Sequence, residues 1–183
     1  MAYDLKRFDE RAKEIDNWLA REFTGIRTGR ATPALLDLVS VDAYGSKMPV
    51  NQVGSVSVED PRTLRVSVWD VSLVKEVEKA ITAADLGVSV VTDGGGLRVI
   101  FPTLTSERRA QLLKLAKAKL EEARVSIRGA RDETMKDIDA KEKGGEMSED
   151  DKFGAKETLQ KKVDAANSSL EGHYMQKERE IQE

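Results

Sequence analysis

The chain has 183 residues, 34% of them charged and only 5% aromatic, with a formal net charge of −3. That length allows one domain or two small ones, and so much charge with so few aromatic rings fits extended, charge-covered helices better than a compact globule. Cysteine is absent and no apolar run approaches the ~18 residues of a membrane span, which excludes a disulfide framework, a thiolate nucleophile, a zinc–thiolate centre and a transmembrane helix.

From Asp4 to about Thr28 the pattern is helical. Leu5, Phe8, Ala12, Ile15, Leu19 and Ile26 keep a heptad-like register, with Glu22 at the next seam position and Phe23 beside it. The charged start, MAYDLKRFDERAKEIDNW, has no signal-peptide core, and a cytoplasmic protein is expected. Pro33 lacks an N–H and pushes Thr32 toward extended geometry, so the helix ends before it.

Residues 35–101 read as short strands around one helix. Leu38 to Tyr44 alternates, turns at Gly45-Ser46 and returns through Lys47-Met48-Pro49. Val53–Val58 and Leu64–Val68 alternate on either side of a turn at Glu59–Arg62. Ser72–Asp85 fits a helix with Val74, Val77, Ile81 and Ala84 on one side. Val88–Val91 and Leu97–Phe101 flank Asp93-Gly94-Gly95-Gly96, a hairpin signal. That loop lacks the Lys-Ser/Thr of a phosphate-binding P-loop.

A long helix is expected from Thr105 to Lys143. Thr105 serves as N-cap, Gly144-Gly145 as the stop, and no proline interrupts it. Leu113, Ala116, Leu120, Ala123, Ile127 and Ala130 form an apolar seam. Beside it runs a basic stripe of Lys117, Arg124, Arg128 and Arg131. A third helix starts after Ser148, with Leu159, Val163, Ala166, Leu170, Tyr174 and Ile181 on its seam. Ser168, Ser169 and Gly172 lower its propensity, so its end is expected to fray.

These elements predict an α+β fold: an elongated three-helix bundle from 1–30 and 105–183, carrying an inserted β/α/β domain at 31–104. Two short connectors, Ala31-Thr32-Pro33 and Pro102-Thr103-Leu104-Thr105, are the expected hinges. Charge is unevenly spread, with 8 basic against 3 acidic side chains in 105–131, and 9 against 15 in 132–183.

Catalysis has little to work with. His173 is the sole histidine, no second ligand is spaced to join it, and no nucleophile has a visible base. No catalytic residue, metal site or cofactor is expected. Arginine forks suit phosphate oxygens, so Arg124, Arg128 and Arg131 fit a nucleic-acid face. Arg27 with Arg30, and Arg108 with Arg109, become neighbours of one another if the inserted domain leaves and returns at one end of the bundle. The stripe fits equally a solvated flank paired with acidic residues of the third helix, in a scaffold that binds other proteins.

RTGRATPALLD (27–37), VEDPRTL (58–64), AITAADLG (80–87), PTLTSERR (102–109) and ARVSIRGARD (123–132) resemble, in this order, the bacterial ribosome recycling factor family, along the whole chain. The resemblance implies an L-shaped molecule near the size of a transfer RNA. It implies a monomeric, non-enzymatic factor that lies against large-subunit ribosomal RNA after peptide release. Elongation factor G, which holds the GTP, then drives the small domain so that the subunits separate, freeing mRNA and tRNA. It also implies that Arg131 is the main RNA contact, with Arg128, Arg109, Arg27 and Arg30 in support. One departure stands out. The family commonly has Asn-X-Arg-Arg where this chain has Gly129-Ala130-Arg131-Asp132, which exchanges a positive charge for a negative one.

Overall fold

The computed structural model describes residues 3–183; Met1 and Ala2, at the start of the expected bundle segment, lie outside the described residues. Helix α1 covers Lys6–Thr24, and the Asp4 carboxylate accepts from the Lys6 N–H at its start (2.8 Å). Strands β1 (Ser40–Ala43), β2 (Ser46–Pro49), β3 (Gly54–Asp60) and β4 (Thr63–Val68) follow. Helix α2 (Val74–Ala83) precedes β5 (Ser89–Asp93) and β6 (Gly96–Ile100). Two long helices, α3 (Ser106–Lys143) and α4 (Glu149–Gln182), complete the chain. The fold is α+β, long helices with a small sheet domain. It divides into two compact units, Met1–Phe23 with Leu113–Glu178 and Thr24–Leu112 with Arg179–Glu183.

In the first unit α1, α3 and α4 pack as a three-helix bundle. Phe8, Ile15 and Leu19 of α1, Ala116, Leu120, Ala123, Ile127 and Ile138 of α3, and Leu159, Val163 and Leu170 of α4 are buried. Ion pairs tie every pair of helices: Lys119 to Glu22 (3.0 Å), Lys162 to Asp9 (2.8 Å) and Lys156 to Asp139 (2.6 Å). Helix α3 has 38 residues, about 57 Å at 1.5 Å per residue. Its caps follow the local residues. The Thr105 hydroxyl accepts from the Arg108 N–H (3.1 Å), and at the other end Gly145, at φ +76°, lets Gly144 and Glu146 donate back to Ala140 and Lys141.

The second unit is built on a four-stranded antiparallel sheet, order β3-β4-β6-β5, with β1 and β2 as a separate hairpin. Leu64, Val66, Leu97 and Val99 fill one sheet face against Val77 and Ile81 of α2. The other face is polar, with Arg65 directly opposite Arg98. Asp93 pairs with both arginines and Glu59 with Arg98, which relieves that like-charge contact. Gly96 and Gly54 sit where a Cβ would press on the backbone carbonyls of Val66 and Ser67, so these strands approach as only glycine allows. The expected connectors lie inside this unit. There the Ala31 N–H donates to the Pro61 carbonyl (2.8 Å) and the Phe101 N–H to the Arg62 carbonyl (2.7 Å).

The structure corrects several expectations. Leu112 is buried rather than Leu113, and Ile138 extends the α3 seam eight residues past Ala130. Phe23, not Glu22, fills the last α1 position of the bundle core. Residues 33–38 form a 3-10 helix, for which Pro33 pre-sets a helical φ at the first position, and the first strand starts at Ser40 rather than Leu38. The first hairpin turns at Tyr44-Gly45, both at positive φ, one residue earlier than expected. The inward face of α2 also uses Ala80, Leu73 just before the helix is buried beside it, and Ala84 just past its end is exposed. The end of α4 does not fray: it runs to Gln182 with Ile181 fully buried. That burial outweighs the weak propensity of Ser168, Ser169 and Gly172.

Candidate nucleic-acid interface

The basic stripe lies on α3, where spacings of four and three place Arg124, Arg128 and Arg131 on one face. With Ile127 they line a groove whose other wall is Gln160, Val163, Asp164 and Asn167 of α4. The guanidiniums that the spacing groups together differ sharply in what they touch. Arg124 donates to Glu121 on its own helix (2.8 Å) and to Glu171 of α4, so it is a clamp between α3 and α4. Arg131 donates through Nε and Nη2 to a single oxygen of Asp132, at 3.1 and 2.8 Å. Arg128 is exposed and, among the described residues, has no carboxylate partner. Lys117, two turns before Arg124, is also exposed with no such partner.

Arg27, Arg30 and Arg109 belong to the second unit and are not among the residues lining that groove. Each is engaged by a backbone carbonyl or by the side-chain carboxylate of Glu183. Arg27 donates to the Pro102 carbonyl and lies over the Phe101 ring, 5.9 Å from its centre. Burial, and then the charge of nearby Arg108, pull its pKa below the usual arginine value. Arg109 donates to the Gln182 carbonyl (2.7 Å), and Arg30 pairs with Glu183 (3.3 Å). These contacts tie the connector region to the last turn of α4.

Other candidate chemistry has structural explanations. His173 Nε2 stands 3.2 Å from Asp16, which also accepts from Ser169 (2.7 Å), joining α4 to α1. Lys119 lies 5.4 Å from the centre of the Trp18 ring, and its bond to Glu22 raises its pKa. Among the described residues no cluster of three His, Asp or Glu side chains is placed to hold a metal ion, and no helix is long and apolar enough to cross a membrane. The sequence pointed to the three arginines and offered acidic residues of the third helix as partners, which Arg124 meets in Glu171, but it did not say which arginine pairs with which carboxylate. Glu171 is 47 residues from Arg124, and no local pattern links them.

The family model for ribosome recycling factor matches residues 19–181. A ribosome-recycling factor from Symbiobacterium thermophilum is 42% identical over 179 residues, 98% of this chain and 97% of that protein. One from Zymomonas mobilis is 43% identical over 180 residues, 98% of this chain and 97% of its own length. A solution structure of the ribosome recycling factor superposes with a TM-score of 0.81 at 36% identity, covering 97% of this chain and 95% of that one. A model of the T. thermophilus ribosome recycling factor and the E. coli elongation factor G, bound to the E. coli post-termination complex, gives a TM-score of 0.67 at 36% identity, covering 95% and 94%. With the family model matching most of the chain and relatives 42–43% identical along nearly its whole length, the chain belongs to the ribosome recycling factor family.

Proposed function

We propose that this chain binds large-subunit ribosomal RNA through α3 and, with elongation factor G and GTP, splits the post-termination ribosome into subunits. The observation that carries the reading is the exposed, carboxylate-free Arg128 beside the half-exposed Arg131 on one groove wall. Guanidinium forks at such spacing match phosphate oxygens. Lys117 extends the positive edge, and Arg124 shapes the groove. Arg109, Arg27 and Arg30 contribute further positive charge next to the connectors. Residues 1–30 and 105–183 act as the anchor and 31–104 as the moving part. Ala31, Thr32, Pro33, Pro102, Thr103, Leu104 and Thr105 absorb the rotation, a role suited to the two prolines, which bring no N–H to hold them in a ladder. The chain works as a cytoplasmic monomer and carries out no catalysis; GTP hydrolysis belongs to its partner.

The test is co-sedimentation with isolated large subunits, with and without nuclease, followed by a subunit-splitting assay with elongation factor G and GTP. Arg128→Ala and Arg131→Ala are each expected to weaken binding by about 1–3 kcal/mol while leaving thermal stability within about 0.5 kcal/mol. Nuclease-resistant capture of ribosomal protein, with both variants binding normally, would replace the RNA interface by a protein-binding scaffold.

A further inference from the structure

Asp132 is not accounted for by the helix that holds it. It lies deep inside α3, far from either end, where its charge has no helix terminus to serve. Aspartate is also a poor helix former. Residues one apart on a helix do not face each other, yet Arg131 leans across to place Nε and Nη2 on one Asp132 oxygen. The pair is exposed enough, at 35% and 52% of side-chain surface, to contribute little to stability. What the contact does fix is the direction of the guanidinium. A carboxylate oxygen on the Nε–Nη2 edge uses two of five donors and leaves the Nη1 end open. On the opposite wall Gln160 and Asn167 are neutral and Asp164 is acidic. Arg124 is already held by Glu121 and Glu171. Arg131 is thus the one groove guanidinium held by a carboxylate from a single edge.

We propose that Asp132 is a positioning residue for RNA recognition: it grips Arg131 by the Nε–Nη2 edge and presents the Nη1 end to one phosphate oxygen. This rests on the reading of α3 as the RNA-binding face. The carboxylate lowers the long-range attraction of the groove, because it cancels one positive charge, and in exchange removes the rotamer freedom that Arg131 would otherwise lose on binding.

The two effects separate by substitution. Asp132→Asn drops the charge and keeps an oxygen that accepts from the same edge, whereas Asp132→Ala drops both. Affinity for isolated large ribosomal subunits is measured across a potassium chloride series, with melting curves confirming that each variant is folded. Both variants are expected to share one salt slope, steeper than wild type by about one unit. Asp132→Ala is expected to bind about three- to tenfold more weakly than Asp132→Asn at every salt concentration. In an Arg131→Ala background that difference disappears, as pairwise coupling requires. Equal affinity of the Asn and Ala variants, or a difference that persists without Arg131, overturns the positioning role while leaving the interface intact. Wild-type affinity in Arg131→Ala alone instead removes Arg131 from the interface, and the role with it.

Discussion

Gly129→Ala tests the account of α3 at the point where its basic face is most loosely built. Gly129 lies in the interior of a 38-residue helix, its φ is not positive, and a Cβ there meets nothing within 4 Å. No steric or strain cost opposes the added methyl. What remains is the backbone entropy that glycine loses on entering a helix, worth about 1 kcal/mol relative to alanine. The substitution is therefore expected to stabilise the fold by about 0.5–1 kcal/mol. For a chain of this size that raises the melting temperature by about 2–4 °C per kcal/mol. Urea unfolding should show a higher midpoint at an unchanged slope. Beyond its two chain neighbours the new Cβ meets no side chain within 4 Å, that of Arg131 included, so affinity for large ribosomal subunits should stay at the wild-type value. An unchanged or lowered urea midpoint refutes the reasoning, because it means that α3 is not a regular, uncrowded helix at Gly129. A stabilised protein with weakened binding would mean that RNA recognition bends α3 there.

Gly96→Ala is expected to act in the opposite direction, costing about 1–3 kcal/mol, because its Cβ runs into the Val66 carbonyl of the neighbouring strand; a wild-type urea midpoint would contradict the strand packing. Arg124→Ala is expected to cost stability, by about 0.5–1 kcal/mol for a half-exposed pair, and to weaken ribosome binding less than Arg128→Ala does. Greater loss of binding in Arg124→Ala would mean that its bonds to Glu121 and Glu171 open in the complex. The three tyrosines should ionise late: Tyr3 is pushed up to about 12 by burial and then by its bond to Asp137, and Tyr44 and Tyr174 are raised as well. Since the folded Tyr3 pKa exceeds the unfolded value near ~10, its stabilisation is complete below that pH and is lost as pH rises through about 12. Ultraviolet titration of wild type against Tyr3→Phe reads this directly, and three ordinary tyrosines would refute it.

Much of the fold was legible because the deciding interactions are short in sequence. The Thr105 cap, the Gly144-Gly145 stop and the glycine hairpin at 93–96 depend on residues within a turn of one another. The misreadings share a different cause. Leu112 and Leu113 are chemically equivalent and adjacent, so only the position of the packing neighbours decides which one is buried. Propensity argued for a frayed α4, but Ile181 is fully buried and Gln182 receives the Arg109 guanidinium, and neither contact leaves a local trace. Pro33 suits the first turn of a helix as well as an extended chain, and the buried Leu35 and Leu36 side chains select the helix.

For the candidate site, the sequence alone determined which face of α3 carries the arginines, because helical periodicity acts through neighbours three and four residues away. It also determined the two departures beside that face, Gly129 and Asp132. Which guanidinium keeps its charge available was decided only by tertiary structure. Glu171 reaches Arg124 from another helix, while Arg128 meets no carboxylate among the described residues. Coulomb attraction depends on distance in space, and chain order does not record the distances that folding creates.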